Sequence, residues 1–284
     1  MWFMRAIRLA LCDSDEASRA AVAARLRGVT VEPCQEGCDA VMFTRLAGDV
    51  ERLLSAGVHV LSVANPCPSW DVIETLSRAA RAAGVHCVAV NPDRYLPSRQ
   101  LIRQQLGTAL GAPALIRLHH WQPADGANEA AGLPDPLLRD LDVILWLAGR
   151  RPDRVYAVQQ KADGRYVQVH LGFPGGAMAL LDFTDRLPPG DGYQSLSVIA
   201  SSGAAYADDH QNVQLHYRGG HPQAVRTGEQ AGQLAAIAQE FVDALREGRD
   251  LMMASVAGWK DVFAVTEAVR QSLASGQAVA VEER

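Results

Sequence analysis

From residue 5 to about residue 120, short apolar or β-branched runs alternate with Ala/Arg/Leu-rich stretches of helical character, and this rhythm restricts the region to a parallel α/β sheet. Ile7 to Cys12 precedes Glu16 to Leu26, Ala40 to Phe43 precedes Val50 to Ala56, Val58 to Val63 precedes Trp70 to Ala83, and His86 to Val90 precedes Arg99 to Leu110. Helical crossovers force parallel pairing and right-handed connections, so residues 1–112 are expected to form a doubly wound, Rossmann-like sheet covered on both faces. Ligands of such sheets sit beyond the carboxyl ends of the strands.

After Pro113 the pattern changes. An amphipathic helix over Pro134 to Ala148 is followed by strand candidates at Val155 to Gln159, Tyr166 to Gly172, Ala177 to Phe183, Gln194 to Ala200 and Val213 to Tyr217, separated by Gly and Pro turns. Strands joined without helical crossovers pair antiparallel, and the alternation in Tyr166-Val167-Gln168-Val169-His170 turns one face of the sheet to solvent or a partner. Residues 113–284 are therefore expected to form a second, α/β domain with a large, mostly antiparallel open sheet. Helices at about Gln230 to Arg246 and Val256 to Ser275 complete it.

The chain has 284 residues, 48% of them hydrophobic, which is enough for two cores. With a net charge of −5 and interleaved signs it has no basic stripe for a phosphate backbone, so nucleic acid is not an expected partner. It lacks an apolar run of membrane-spanning length, and the reading is of a soluble, cytoplasmic protein that does not associate with membranes. Its five cysteines, Cys12, Cys34, Cys38, Cys67 and Cys87, are an odd set read as reduced thiols. No metal site is expected: Cys34 and Cys38 have no second ligand pair nearby, the histidines lack ligand spacing, and His119 and His120 point to opposite sides of a strand. No Gly-x-Ser-x-Gly elbow offers a serine nucleophile, and Ser201-Ser202-Gly203-Ala204 reads as a turn.

Two strand exits carry the remaining information. Gly57 to Pro66 is an apolar strand running into a Pro-marked turn where an α/β sheet presents its chemistry, yet the exit residues are Ala64 and Asn65, neither of them ionisable near neutral pH. The first strand runs into Asp13-Ser14-Asp15-Glu16, which suits a helix N-terminus, with Asp13 or Ser14 as cap and acids at the positive end of the dipole. No G-x-G-x-x-G precedes residue 112.

The order of elements resembles the Gfo/Idh/MocA oxidoreductases. The landmarks are Gly57 to Pro66, Arg94-Tyr95-Leu96-Pro97, Leu138-Arg139-Asp140-Leu141-Asp142 leading to Trp146-Leu147-Ala148-Gly149, Phe173-Pro174-Gly175-Gly176-Ala177, Glu240 to Leu245, and Ser272 to Gly276. The resemblance implies an N-terminal Rossmann domain and a C-terminal open-sheet domain, here truncated. Ile7 to Cys12 with Asp13 matches the family's second strand and its ribose-binding acid, so the first strand and glycine-rich turn are missing. If Ile7 to Cys12 were instead the first strand, three acids in four residues would face a pyrophosphate and repel it.

The resemblance further implies a catalytic lysine in a Glu-Lys-Pro turn and a histidine in an Asp-x-x-x-His helix. This sequence has Asn65 at the lysine position, and Asp135 is followed by Arg139 at the histidine position; arginine stays protonated and is a poor proton shuttle. The bland reading of Asp135 and Arg139 is an intrahelical ion pair, and of Arg94 a solvated side chain.

The expected function is accordingly a degenerate family member without autonomous NAD(P)-dependent activity, needing no cofactor. It would serve as a structural or regulatory subunit of an oligomer through its C-terminal sheet, with a second copy or an intact family member as partner. One alternative is a non-redox enzyme or binding protein for a sugar-like or carboxylated small molecule, using Asn65, Arg94, Asp135 and Arg139. Another is an NAD(P)-dependent oxidoreductase with a rebuilt cofactor site around Asp13.

Overall fold

A computed structural model describes residues 6–12, 16–32, 37–43, 50–63, 70–124, 133–160, 166–190, 192–208, 213–217, 223–226, 232–249 and 259–282. The chain divides into two compact units, 1–95 with 230–260 and 96–229 with 261–284. This interleaving differs from a single cut at residue 112, because a late helix packs with the N-terminal sheet.

In the first unit, β1 (Ile7–Cys12), β2 (Val29–Glu32), β3 (Ala40–Phe43), β4 (His59–Ser62) and β5 (Cys87–Ala89) form a parallel sheet in the order β2-β1-β3-β4-β5. Helices α1 (Glu16–Ala23), α2 (Val50–Ser55) and α3 (Trp70–Ala83) are its crossovers. A six-stranded doubly wound sheet has the order 3-2-1-4-5-6; deleting its first strand leaves the order found here. The direction of winding reverses between β1 and β3, which puts α1 on one face and α2 and α3 on the other.

In the second unit, α4 (Pro97–Gln105) leads to the long β6 (Pro113–Pro123) and to α5 (Asp135–Ala148). Then follow β7 (Arg154–Gln159), β8 (Tyr166–Gly172), β9 (Met178–Leu187), β10 (Tyr193–Ala200), β11 (Gly203–Asp208), β12 (Val213–Tyr217) and β13 (Gln223–Arg226). After α6 (Gln233–Glu247), which belongs to the first unit, α7 (Trp259–Ser275) precedes the short β14 (Val279–Ala280). The sheet runs β13-β12-β11-β10-β6-β9-β8-β7-β14 and is antiparallel throughout except for the β6–β9 pair. Ser201 and Ser202 form the β10–β11 turn, as the sequence suggests. The helix expected to reach Leu110 stops at Gln105, where the chain bends towards Gly107 and Gly111, both at positive φ.

α5 lays Leu137, Leu141 and Ile144 on the inner face of this sheet over Ile116, Leu118, Leu181 and Phe183, all of them almost wholly buried. It ends at Gly149, whose φ of 66° allows its N–H to bond the Leu145 carbonyl. α7 closes the same face near β7, where Ser272 Oγ accepts from the Ala157 N–H at 2.8 Å and donates to the Gln277 carbonyl.

The parallel sheet needs apolar cover on both faces. α2 and α3 serve one, burying Leu53, Leu54, Ile73 and Leu76. On the other, α1 is only eight residues long and buries Val22 alone. α6 supplies the rest: Ala235, Ile237, Ala238, Phe241 and Val242 pack with Leu9, Leu11, Met42, Leu61 and Val90 in one core. Each large side chain buried there contributes about 2 kcal/mol. Trp259, fully buried in the first unit, donates Nε1–H to the Ala89 carbonyl of β5 at 3.0 Å.

Candidate functional site

The ligand crevice of a doubly wound sheet opens at the carboxyl ends of the strands where winding reverses, here β1 and β3. The exits of β1, β3 and β4 at 13–15, 44–49 and 64–69 lie outside the described residues, and with them Asp13 and Asn65. A test of whether this edge suits a dinucleotide comes from the glycines. Gly28, Gly37, Gly57 and Gly84 all have positive φ and stand one to three residues before β2, β3, β4 and β5, so they turn the chain at the amino edge. The sequence leaves Gly48 alone for the carboxyl-edge loops, whereas a pyrophosphate cradle needs three closely spaced glycines. Among the described residues no glycine-rich cradle for a pyrophosphate stands at this edge.

Arg94 is half-buried in the 3-10 turn Pro92–Tyr95 that follows β5. The turn is shaped by Asn91, whose Oδ1 accepts from the Asp93 N–H at 3.0 Å while its carbonyl accepts from Arg94 N–H. It is held to α6 by Tyr95 Oη donating to Glu240 Oε2 at 2.8 Å and by the Gln233 amide donating to the Pro92 carbonyl. Burial, then the Glu240 carboxylate, pushes the Tyr95 phenol well above its ordinary value.

Asp135 and Arg139 belong to α5 in the second unit. Asp135 is exposed in the first turn and Arg139 is half-buried one turn later. Next to Arg139, the apolar face of the helix is interrupted by Asp140 and Asp142, both fully buried. Asp140 Oδ2 lies 2.7 Å from His120 Nδ1 on β6, and its Oδ1, inaccessible to solvent, has no hydrogen-bond partner. The His120 ring stands edge-on to Phe183 at 5.5 Å. A buried carboxylate at Nδ1 fixes ring orientation and tautomer and leaves Nε2 to exchange a proton, the relation of a histidine base to its orienting acid.

His119, one residue earlier, points to the open face and pairs with Asp182 of β9 at 3.3 Å. The two histidines thus serve opposite faces with separate acids, as strand alternation requires. Among the described residues no group of three or more His, Cys, Asp or Glu side chains is placed to hold a metal ion. Sequence reasoning passed over Asp140 and Asp182; the available signal was a carboxylate at a core-facing helical position and another inside an apolar strand.

Around His119 the open face is aromatic. Trp121 and Tyr193 rings lie 5.0 Å apart, and the Tyr193 and Tyr206 hydroxyls are 3.2 Å apart. That hydrogen bond, with burial and neighbouring charge, pushes Tyr206 up to about 12. Burial, then the Asp182 carboxylate, raises Tyr166. Towards the other end of the strands the same face carries a shallow groove of about 360 Å³ lined by Arg117, Arg154, Tyr156, His170, Met178 and Leu180. Among the described residues the exposed large apolar side chains are Tyr156, Val158, Tyr166, Met178 and Ile199 on this sheet, and Val72 elsewhere. No helix among the described residues is long and apolar enough to cross a membrane.

No protein-family model matches the sequence. Curated proteins likewise give no match. Solved structures do. UDP-N-acetylglucosamine 3-dehydrogenase GnnA from Acidithiobacillus ferrooxidans aligns over 94% of this chain and 97% of its own with a TM-score of 0.75 and 18% identity. An oxidoreductase from Agrobacterium radiobacter, in complex with NAD+, L-tartaric acid and magnesium, aligns over 97% and 98% with a TM-score of 0.78 and 14% identity. The aldose-aldose oxidoreductase from Caulobacter crescentus, complexed with glycerol, aligns over 97% and 100% with a TM-score of 0.77 and 18% identity. At such identities the likeness is one of architecture, and the chain has the fold of the Gfo/Idh/MocA-type oxidoreductases.

Proposed function

We propose that this protein has the Gfo/Idh/MocA fold without dinucleotide-dependent catalysis of its own, and works as a structural or regulatory subunit of a cytoplasmic oligomer. Its contribution to that oligomer is the open face of the nine-stranded sheet. The observation that carries this reading is the concentration of exposed Tyr156, Val158, Tyr166, Met178 and Ile199 on one sheet face, since apolar surface gathered in a patch marks an association site. The glycine placement, Asn65 at the lysine position and Arg139 at the histidine position support the loss of redox chemistry. Fluorescence titration with NADH and NADPH tests that loss: no saturable signal up to millimolar cofactor is expected, and binding accompanied by hydride transfer would reject it.

A second reading is favoured by the His120–Asp140 pair, which gives the second unit a means of handling protons independent of a nicotinamide. On that reading a sugar-like or carboxylated small molecule binds near Arg139 and undergoes non-redox chemistry. The solved neighbours named as sugar and inositol dehydrogenases make sugars and polyols the first compounds to screen. Thermal stabilisation by one of them, abolished in Arg139→Ala, is the expected signature; stabilisation that persists in the variant would remove Arg139 from the site.

A further inference from the structure

We infer that the first unit binds a phosphorylated small molecule in a groove between the α1–β2 connection and one face of α6, with Arg27 and Arg246 taking the phosphoryl group. The groove lies at the amino edge of the parallel sheet, opposite the edge at which such sheets take their usual ligands.

Arg25, Leu26, Arg27 and Gly28 form the connection from α1 to β2, which runs against α6. On that helix Ala236, Gln239, Asp243 and Arg246 recur at intervals of three or four residues, so they fall on one stripe about 15 Å long, with Ala235 beside it. These segments line a groove of about 500 Å³, the size of a small-molecule site, and every lining residue belongs to the first unit.

Charge in the groove is one-sided. Arg25, Arg27 and Arg246 share it with a single acid, Asp243, in a chain whose net charge is −5. Asp243 Oδ1 already accepts from the Gln239 amide at 2.8 Å. Gln239 Oε1 accepts from the Arg27 backbone N–H at 2.7 Å, which fixes the Arg27 backbone against the helix and leaves its side chain unengaged. Arg25 donates Nη1–H to the Ala21 carbonyl. Neither the Arg27 nor the Arg246 side chain has a hydrogen-bond or ion-pair partner among the described residues.

Arg246 carries the argument furthest. An arginine in the last turn of a helix ordinarily complements the dipole and keeps its head in water. Here the guanidinium lies over Gly28, where any Cβ would collide with Nη1, and its Nε is closed off from solvent without an acceptor. A cation held in place, partly desolvated and without a counter-charge, is costly by itself and attracts an anion. Its fork of donors matches the oxygens of a phosphoryl group, which brings close to two negative charges at neutral pH, one for each unpaired guanidinium. Inorganic phosphate would fill only the arginine end. The small side chains of Ala235 and Ala236 leave the remainder open to the organic body of an ester.

The test is isothermal titration calorimetry of the full-length chain at fixed ionic strength with phenyl phosphate, inorganic phosphate and citrate. Phenyl phosphate is expected to bind saturably at one site, and more tightly than inorganic phosphate. Arg27→Ala, at an exposed position, and Arg246→Gln should each raise its Kd about tenfold or more. Arg78→Ala, which removes one exposed positive charge from α3 on the other face of the sheet, should leave it unchanged. Circular dichroism checks that the variants fold; if Arg246→Gln does not, Arg27→Ala decides alone. No saturable binding of phenyl phosphate at millimolar concentration would overturn the inference. So would an equal loss in Arg78→Ala, which marks general charge attraction, and so would citrate binding more tightly than either phosphate. Co-flotation of wild-type protein, but not Arg27→Ala, with phosphatidic acid vesicles in the absence of phenyl phosphate binding would assign the arginines to a lipid surface and likewise overturn it. None of these variants touches the carboxyl edge, so the cofactor titration and this test fail independently.

Discussion

His59 receives the His86 backbone N–H on its Nδ1 at 3.0 Å and stacks on the His86 ring, so the hydrogen bond that positions it requires the neutral imidazole. Burial and then the neighbouring His86 hold its pKa below the ordinary 6.5. A depressed pKa contributes stability that is complete above the unfolded value and lost as pH falls through the folded one. The first unit should therefore weaken as pH drops below about 6.5, and a proton NMR titration of His59 should show a midpoint under that of an exposed histidine. Tyr95 works in the opposite sense. Its raised pKa contributes stability below 10.0 that is lost at higher pH, so Tyr95→Phe should flatten the alkaline limb of the stability profile. For His120 and Asp140, removing one partner strands a buried polar group. His120→Ala should cost about 3 kcal/mol in urea denaturation, whereas replacing both residues with leucine should cost much less.

Among elements, α6 has the most consequence. Its sequence is amphipathic and its helical state follows from that alone, but its apolar stripe completes the face of the parallel sheet that α1 is too short to cover. Phe241→Ala should cost about 3 kcal/mol, read as faster amide exchange in β1 and β3 with little change in β6 and β9, which lie in the other unit. α5 shows how a buried stripe can carry polar groups: Asp140 fits at a core-facing position because His120 on β6 meets it. A search by apolar periodicity reads such a residue as a defect in the pattern.

For the molecule as a whole, the open sheet face is the feature that association would use. On the proposal that this face docks a partner, Arg117→Glu places an acid on the exposed face and should weaken that association, with little effect on thermal stability because Arg117 is exposed. Analytical ultracentrifugation and thermal unfolding of the variant measure the two effects.

Strand–helix alternation determined the parallel sheet, its crossovers and the switch to an antiparallel sheet after Pro113, because period and turn residues are local properties of the chain. The lack of a G-x-G-x-x-G before residue 112, and Asn65 and Arg139 where the family resemblance implies a lysine and a histidine, were equally legible, being questions of which residue stands where. Tertiary structure alone decided that α6 belongs with the first sheet and that β11 and β13 extend the second, both of which the sequence reading lacked. It also decided that the adjacent His119 and His120 serve separate acids on opposite faces. The physical reason is that a partner across a sheet or from a distant helix is fixed by register and by competition for apolar area, which no stretch of sequence contains by itself.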